Sequence, residues 1–209
     1  MVVLGITGGT GAGKTSALRV LEKLGAYIID CDALYHELLD PGKPIYLAIM
    51  ENFGEEVFTE TGALDRVKLG NLVFSDPEEL ARLNTLIFRH LGTEIENRIE
   101  EQKILDVRCV AVDGITIIQA RQAGRLHCDC VVGVIAPEEI RLQRIMKRDN
   151  FSEEYARKRI DAQESNSFYL DHCDVILENT YENQRLFEES VEVFFEDLIR
   201  SYEEENEHE

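Results

Sequence analysis

Val2–Ser16, VVLGITGGTGAGKTS, decides how this chain is read. Val2, Val3, Leu4 and Ile6 form a short apolar run that predicts a buried strand. A glycine-rich turn follows, and Lys14 to Arg19 open a helical pattern. Gly8, Gly13, Lys14 and Thr15 satisfy G-x-x-x-x-G-K-[ST], the P-loop pattern. Gly8, Gly9, Gly11 and Gly13, with Ala12 between them, let the backbone curl until several N–H groups point at one centre. That centre lies at a helix N-terminus, which favours anions. Lys14 adds a point charge for the β- and γ-phosphates, and the Thr15 hydroxyl suits Mg²⁺. The alternative is a strand-to-helix turn that binds nothing. Motif and context together predict a triphosphate site from Gly9, Gly11, Ala12, Gly13, Lys14, Thr15 and Ser16.

The remaining composition bounds the partners. The chain has 209 residues, with 22 basic and 41 acidic side chains and a net charge of −19. Such a balance argues against broad binding to nucleic acid or membranes. No apolar run reaches the length of a membrane span, and a strand opening at Val2 leaves no leader, so a cytoplasmic location is expected. One stretch departs from the acidic background. Arg141 to Arg159 holds seven basic and three acidic side chains, the pattern of a small polyanionic ligand or of a solvated helix pair. Five cysteines, an odd number with poor metal spacing, read as buried small hydrophobes rather than a disulfide or zinc framework.

Outward from the loop, a helix runs to Leu24 and ends at Gly25. Ala26–Ile29 is a second strand leading into Asp30-Cys31-Asp32. Ligands in open parallel sheets sit beyond the carboxyl ends of strands, where this pair falls. One acid can assist the metal while the other takes a proton from an attacking hydroxyl; capping of the next helix by Asp32 is the bland alternative. Residues 33–101 read as a mainly helical insertion covering the ligand cleft, with a strong helix start at Ser75-Asp76-Pro77. Ile104–Val112 reads as a third strand closed by Asp113, a metal-holding acid in the Walker-B manner. A fourth strand spans Val131–Ile135. Helices starting at Pro137 and Ser152 carry the basic island. A fifth strand, Asp174–Asn179, and a helix from Tyr181 to Tyr202 precede an acidic tail, 203–209, expected to be disordered.

With these pieces placed, the chain resembles dephospho-coenzyme A kinases over almost its whole length. The resemblance rests on ITGGTGAGKT, LGAYIIDCDAL, DPGKPIYLAIMENFG, GALDRVKLGNLVFSDPEELARLN, APEEIRLQRIMKRDNFSEEYARKRIDAQ and DVILEN. It implies transfer of the ATP γ-phosphate to the ribose 3′-hydroxyl of dephospho-coenzyme A. It implies an α/β P-loop kinase fold: a five-stranded parallel sheet with helices on both faces, a helical insertion and a lid. The core would be 1–32 and 102–202, the lid about 137–163, and 33–101 the acceptor-binding insertion. Asp32 would be the catalytic base, Lys14 and Arg144 would act in transfer, Arg148 would bind ATP from the lid, and Arg66 would contact the acceptor. ATP and Mg²⁺, the latter on Thr15 and Asp113, are the expected ligands, in a monomer or small homo-oligomer.

Two stretches depart from the family pattern. Phe88-Arg89 stands where the family has His-Pro, and Ile115, Ile118 and Gln119 stand where it has Pro, Phe and Glu. Both bear on the acceptor side, so two other readings stay open: a P-loop kinase of another nucleotide-like alcohol, and a non-catalytic ATP- or CoA-binding paralogue.

Overall fold

Every residue of β1 (Val2–Gly8) is buried, as its apolar run predicts. The computed structural model describes residues 1–181 and 183–206. In it β1 is the middle strand of a sheet completed by β2 (Tyr27–Asp30), β3 (Cys109–Asp113), β4 (Cys130–Ile135) and β5 (Val175–Glu178), in the order β2-β3-β1-β4-β5. β1 pairs in parallel with β3, Ile6 beside Asp113, and with β4, Gly8 beside Val134. β4 in turn pairs in parallel with β5. Strand order reverses beside β1, and the carboxyl end of the strand at such a switch point is where ligands gather in open α/β sheets.

The chain divides into two compact units, Met1–Ile29 with Ile99–Glu209, and Asp30–Arg98. In the first, α1 (Lys14–Lys23) and α10 (Gln184–Asn206) cover one sheet face. Ala17, Val20 and Leu21 meet Phe187, Val191, Phe195 and Ile199 over Leu4, Ile6, Val132 and Val134. The alternate residues face the other way. A Cβ on Gly5 would meet Ile117 of α6 (Ile117–Gln122), and one on Gly133 would meet Cys173, the residue ending α9 (Asn166–His172). Helices therefore cover both faces, with α6 and α9 additional to the helices expected from sequence. A hairpin of α7 (Glu138–Asp149) and α8 (Glu153–Asp161) packs its own small cluster of Leu142, Ile145, Ala156 and Ile160.

The second unit holds α2 (Cys31–Leu38), α3 (Pro44–Phe53), a 3₁₀ turn at Glu55–Val57, α4 (Arg66–Phe74) and most of α5 (Pro77–Ile104). Its helix starts follow local chemistry. Asp65 accepts from the N–H groups of Val67 and Lys68, and Asp76 accepts from that of Glu78. Ile45, Ile49, Phe53, Val57, Leu69 and Val73 are buried.

Three expectations are corrected. Ile104 ends α5 rather than opening a strand; a turn follows in which Asp106 has a φ of 57°, and Ile104 and Leu105 are 83% and 68% exposed. A short apolar run looks alike in both conformations. Asp30, not Asp32, caps α2, accepting from the N–H groups of Asp32 (2.9 Å) and Ala33 (3.0 Å). The acidic end is helical to Asn206, and Glu203 takes both Nε and Nη2 of Arg108 at 2.6 Å; residues 207–209 lie outside those described. No helix among the described residues is long and apolar enough to cross a membrane.

Candidate active site

The loop between β1 and α1 is built from the outside in. Gly13, at φ 113°, caps α1, and a Cβ there would strike the Asn179 amide. Gly11, at φ 78°, lies against α7, where a Cβ would come within 2.8 Å of the Arg141 carbonyl. These glycines are needed as much for the close approach of neighbours as for curvature. Four side chains grip the loop backbone. Arg141 Nε donates to the Thr10 carbonyl at 2.9 Å. Gln163 Oε1 accepts from the Thr10 N–H at 2.7 Å. Arg144 Nη1 donates to the carbonyls of Gly11 (3.2 Å) and Ala12 (3.3 Å), and its Nη2 donates to Asn179 Oδ1 (3.0 Å) and the Tyr181 carbonyl (2.8 Å). Asn179, itself buried, donates through Nδ2 to the Ala12 carbonyl at 2.9 Å. The carbonyls of three successive loop residues are thus held by side chains.

Lys14, at the first position of α1, forms an ion pair with Asp113 at the end of β3; their side chains are 21% and 14% exposed. Thr15 follows, exposed, and Ser16 is half-buried. Thr7, immediately before the loop, buries a hydroxyl that has no hydrogen-bond partner among the described residues. Leaving a buried hydroxyl unpaired costs about 1–3 kcal/mol, which singles out the position. Burial also holds the guanidinium groups of Arg141 and Arg144 below their usual range.

Arg148, by contrast, is exposed and donates to the neighbouring Asp149 through Nε (2.7 Å) and Nη2 (2.8 Å). These bonds hold the Asp149 carboxyl below the usual range. Arg157 and Lys158 likewise pair with acids. The basic island therefore separates into two arginines turned onto the loop and a remainder that faces solvent, in which Arg148, Arg157, Lys158 and Arg159 are ion-paired.

For a divalent ion, the Thr15 hydroxyl and Asp113 carboxylate are hard oxygen donors, which fit Mg²⁺. No group of three or more His, Cys, Asp or Glu side chains suited to a metal occurs among the described residues. Mg²⁺ commonly takes one or two protein ligands and completes its shell with phosphate oxygens and water. The cysteines offer no softer site: burial pushes the Cys109 thiol up to about 12 and those of Cys128, Cys130 and Cys173 to about 11.

In the helical unit the Asp32 carboxylate is exposed and takes no hydrogen bond among the described residues, whereas Asp30 is engaged as a cap. Arg66 donates toward His36 Nδ1 at 3.2 Å. The two line a cleft of about 270 Å³ with Leu39, Asp40, Tyr46 and Leu64. Of the departures from the family pattern, Arg89 lines a surface depression with Asn52, Arg82 and Thr85. Ile118 is buried in α6, Ile115 is 55% exposed and Gln119 is exposed.

Sequence reasoning missed Thr7, Arg141, Gln163 and Asn179. Arg141 was visible only as one charge in the basic island, and Gln163 and Asn179 carried no signal beyond lying at the ends of predicted elements.

Residues 2–184 match the family model described as dephospho-CoA kinase. A dephospho-CoA kinase of Carboxydothermus hydrogenoformans is 34% identical over 178 residues, 85% of each chain. Among solved structures, TT1252 from Thermus thermophilus superposes with a TM-score of 0.71 at 28% identity, covering 94% of this chain and 97% of that one. A dephospho-CoA kinase from Campylobacter jejuni shares the fold, with a TM-score of 0.58 at 23% identity, covering 94% and 96%.

Proposed function

Because the chain belongs to the dephospho-CoA kinase family, we propose that it transfers the γ-phosphoryl group of ATP to the ribose 3′-hydroxyl of dephospho-coenzyme A. The products are coenzyme A and ADP, and the reaction belongs in the cytoplasm. The observation that carries this reading is the loop itself: Lys14 at its inner end and the carbonyls of Thr10, Gly11 and Ala12 gripped by side chains.

In this reading the sheet unit binds the nucleotide. Loop N–H groups and the N-terminus of α1 receive phosphate oxygens, and Lys14 exchanges part of its pairing with Asp113 for the β- and γ-phosphates. Mg²⁺, held by Thr15 and Asp113, would neutralise charge on the phosphates. The helical unit binds the acceptor, with Arg66 offering a fork to its anionic groups. Transfer of a phosphoryl group asks little covalent chemistry of the protein, so positioning and charge stabilisation dominate. As the acceptor oxygen bonds to phosphorus and the bond to the ADP oxygen breaks, the hydroxyl proton passes to Asp32. Arg144 contributes by keeping the loop in shape and its positive charge close by.

The test is ADP release with dephospho-coenzyme A, alongside a panel of nucleosides, nucleotides and other sugar alcohols. Stoichiometric formation of coenzyme A, with other alcohols at least ~10²-fold poorer in kcat/KM, is the expected result. Turnover of a different alcohol alone would overturn the acceptor, and ATP binding without turnover would overturn the enzyme.

A further inference from the structure

Arg141 is 3% exposed and forms no ion pair with any described residue. Its partners are neutral: the Thr10 carbonyl at 2.9 Å and Gln163 Oε1 at 3.4 Å. Glu138, one turn before it on α7, pairs directly with Arg157 and acts on Arg141, as Tyr169 does, only through a longer-range Coulombic influence. The guanidinium lies close against the loop, where a Cβ on Gly9 would meet its Nη2 at 2.5 Å and its Cζ at 2.8 Å. Gln163 closes the ring by accepting from the Thr10 N–H. One residue of the loop, Thr10, is therefore held at both its N–H and its carbonyl, and with it two successive peptides, by the α7–α8 hairpin and the residues after it.

We propose that Arg141 is a positioning residue of the phosphate loop that carries a buried charge reserved for the nucleotide's phosphates. Rigidity alone does not call for an arginine here. A neutral donor would satisfy the Thr10 carbonyl, and a buried cation without a counter-ion weakens a fold that has to desolvate it. Its charge becomes favourable only when polyanionic phosphates arrive on the other side of a thin glycine backbone, where low dielectric strengthens the attraction. Burial lowers the guanidinium's range by more than the distant Tyr169 and Glu138 raise it, as expected of a buried cation without a direct ion-pair partner. Arg141 thus trades stability of the protein alone for affinity. Gln163 is the neutral half of the device, because a carboxylate in its place would neutralise Arg141 before any nucleotide bound.

That last point supplies the test, which rests on the loop being the ATP site. Gln163→Glu is nearly isosteric and keeps both acceptor contacts. The expected result is a thermal midpoint without nucleotide equal to or above wild type, together with at least a tenfold weaker ATP Kd by calorimetry. The KM for dephospho-coenzyme A should stay within twofold. Arg141→Met, which removes the charge and keeps the stem, should show the same opposed pair of effects, and Arg141→Lys should recover most of the ATP affinity. If both neutralising variants lower the midpoint and leave the ATP-induced shift unchanged, Arg141 is merely structural. If Arg141→Lys is as weak as Arg141→Met, charge is not what it supplies. Should wild type itself fail to bind ATP, the underlying reading falls and this one with it; tight wild-type binding with indifferent variants removes this proposal alone.

Discussion

Asp30 and Asp32 stand two residues apart and face different demands. Asp30 accepts two backbone N–H groups at the start of α2, so its carboxylate is occupied by the fold. Asp32 is exposed and takes no such bond among the described residues. An amide at position 32 would still hydrogen-bond but could not accept a proton. Asp32→Asn is therefore expected to keep ATP affinity within about threefold and lower kcat by roughly 10²–10⁴. Asp30→Ala should behave in the opposite way, losing about 1 kcal/mol of stability with its cap while kcat changes little. Single-turnover kinetics and chemical denaturation of both variants separate the roles; a crippled Asp30→Ala beside an active Asp32→Asn would reverse the assignment. Lys14→Ala makes the corresponding case on the phosphate side. With the loop charge gone, turnover should fall below detection while thermal unfolding shows an intact fold, and wild-type turnover would remove the loop from the mechanism.

At the scale of elements, α7 brings Arg141 and Arg144 to the loop because residues three apart share a helix face. Arg144 serves four acceptors with two nitrogens of one planar group. No ammonium can span such a set, so Arg144→Lys should rescue poorly. Arg144→Ala is expected to raise the KM for ATP and lower kcat by on the order of 10²–10³, the cost of losing a charge-stabilising donor set. Steady-state kinetics decide it: a loss below about tenfold would leave Arg144 a structural clamp on the loop with no part in the transfer. This element also shows where sequence reading stops. Lys14 and Thr15 were legible because glycine, lysine and hydroxyl lie within one short motif. The grip on the loop joins residues 131, 153 and 167 positions apart, and no local pattern encodes a contact made only when sheet and hairpin meet. Likewise β1 and β4, buried along their whole length, were readable as apolar runs. The helical end at Ile104-Leu105 was not, because its apolar side chains face solvent.

Over the whole molecule, a net charge of −19 opposes the approach of substrates that are themselves anions. The local cations Lys14, Arg141 and Arg144 are half-buried or buried and act at short range. Screening discriminates between the two contributions. The Debye length shrinks from about 30 Å at 0.01 M salt to about 8 Å at 0.15 M. Over that interval the repulsion from distant surface carboxylates is largely removed, while contacts within a few ångströms inside the loop keep most of their strength. Added salt is therefore expected to help this enzyme at first. At fixed free Mg²⁺, kcat/KM for ATP should rise by about two- to fivefold between 0.01 and 0.15 M, reversing the usual fall for an anionic ligand steered by a basic surface. Substituting exposed acids remote from the loop, such as Glu192, Glu196 and Asp197 of α10, with neutral amides should flatten the rise without changing kcat. A monotonic decline from the lowest salt would instead mean that the field of the loop arginines and Lys14 reaches well beyond the site and outweighs the net charge.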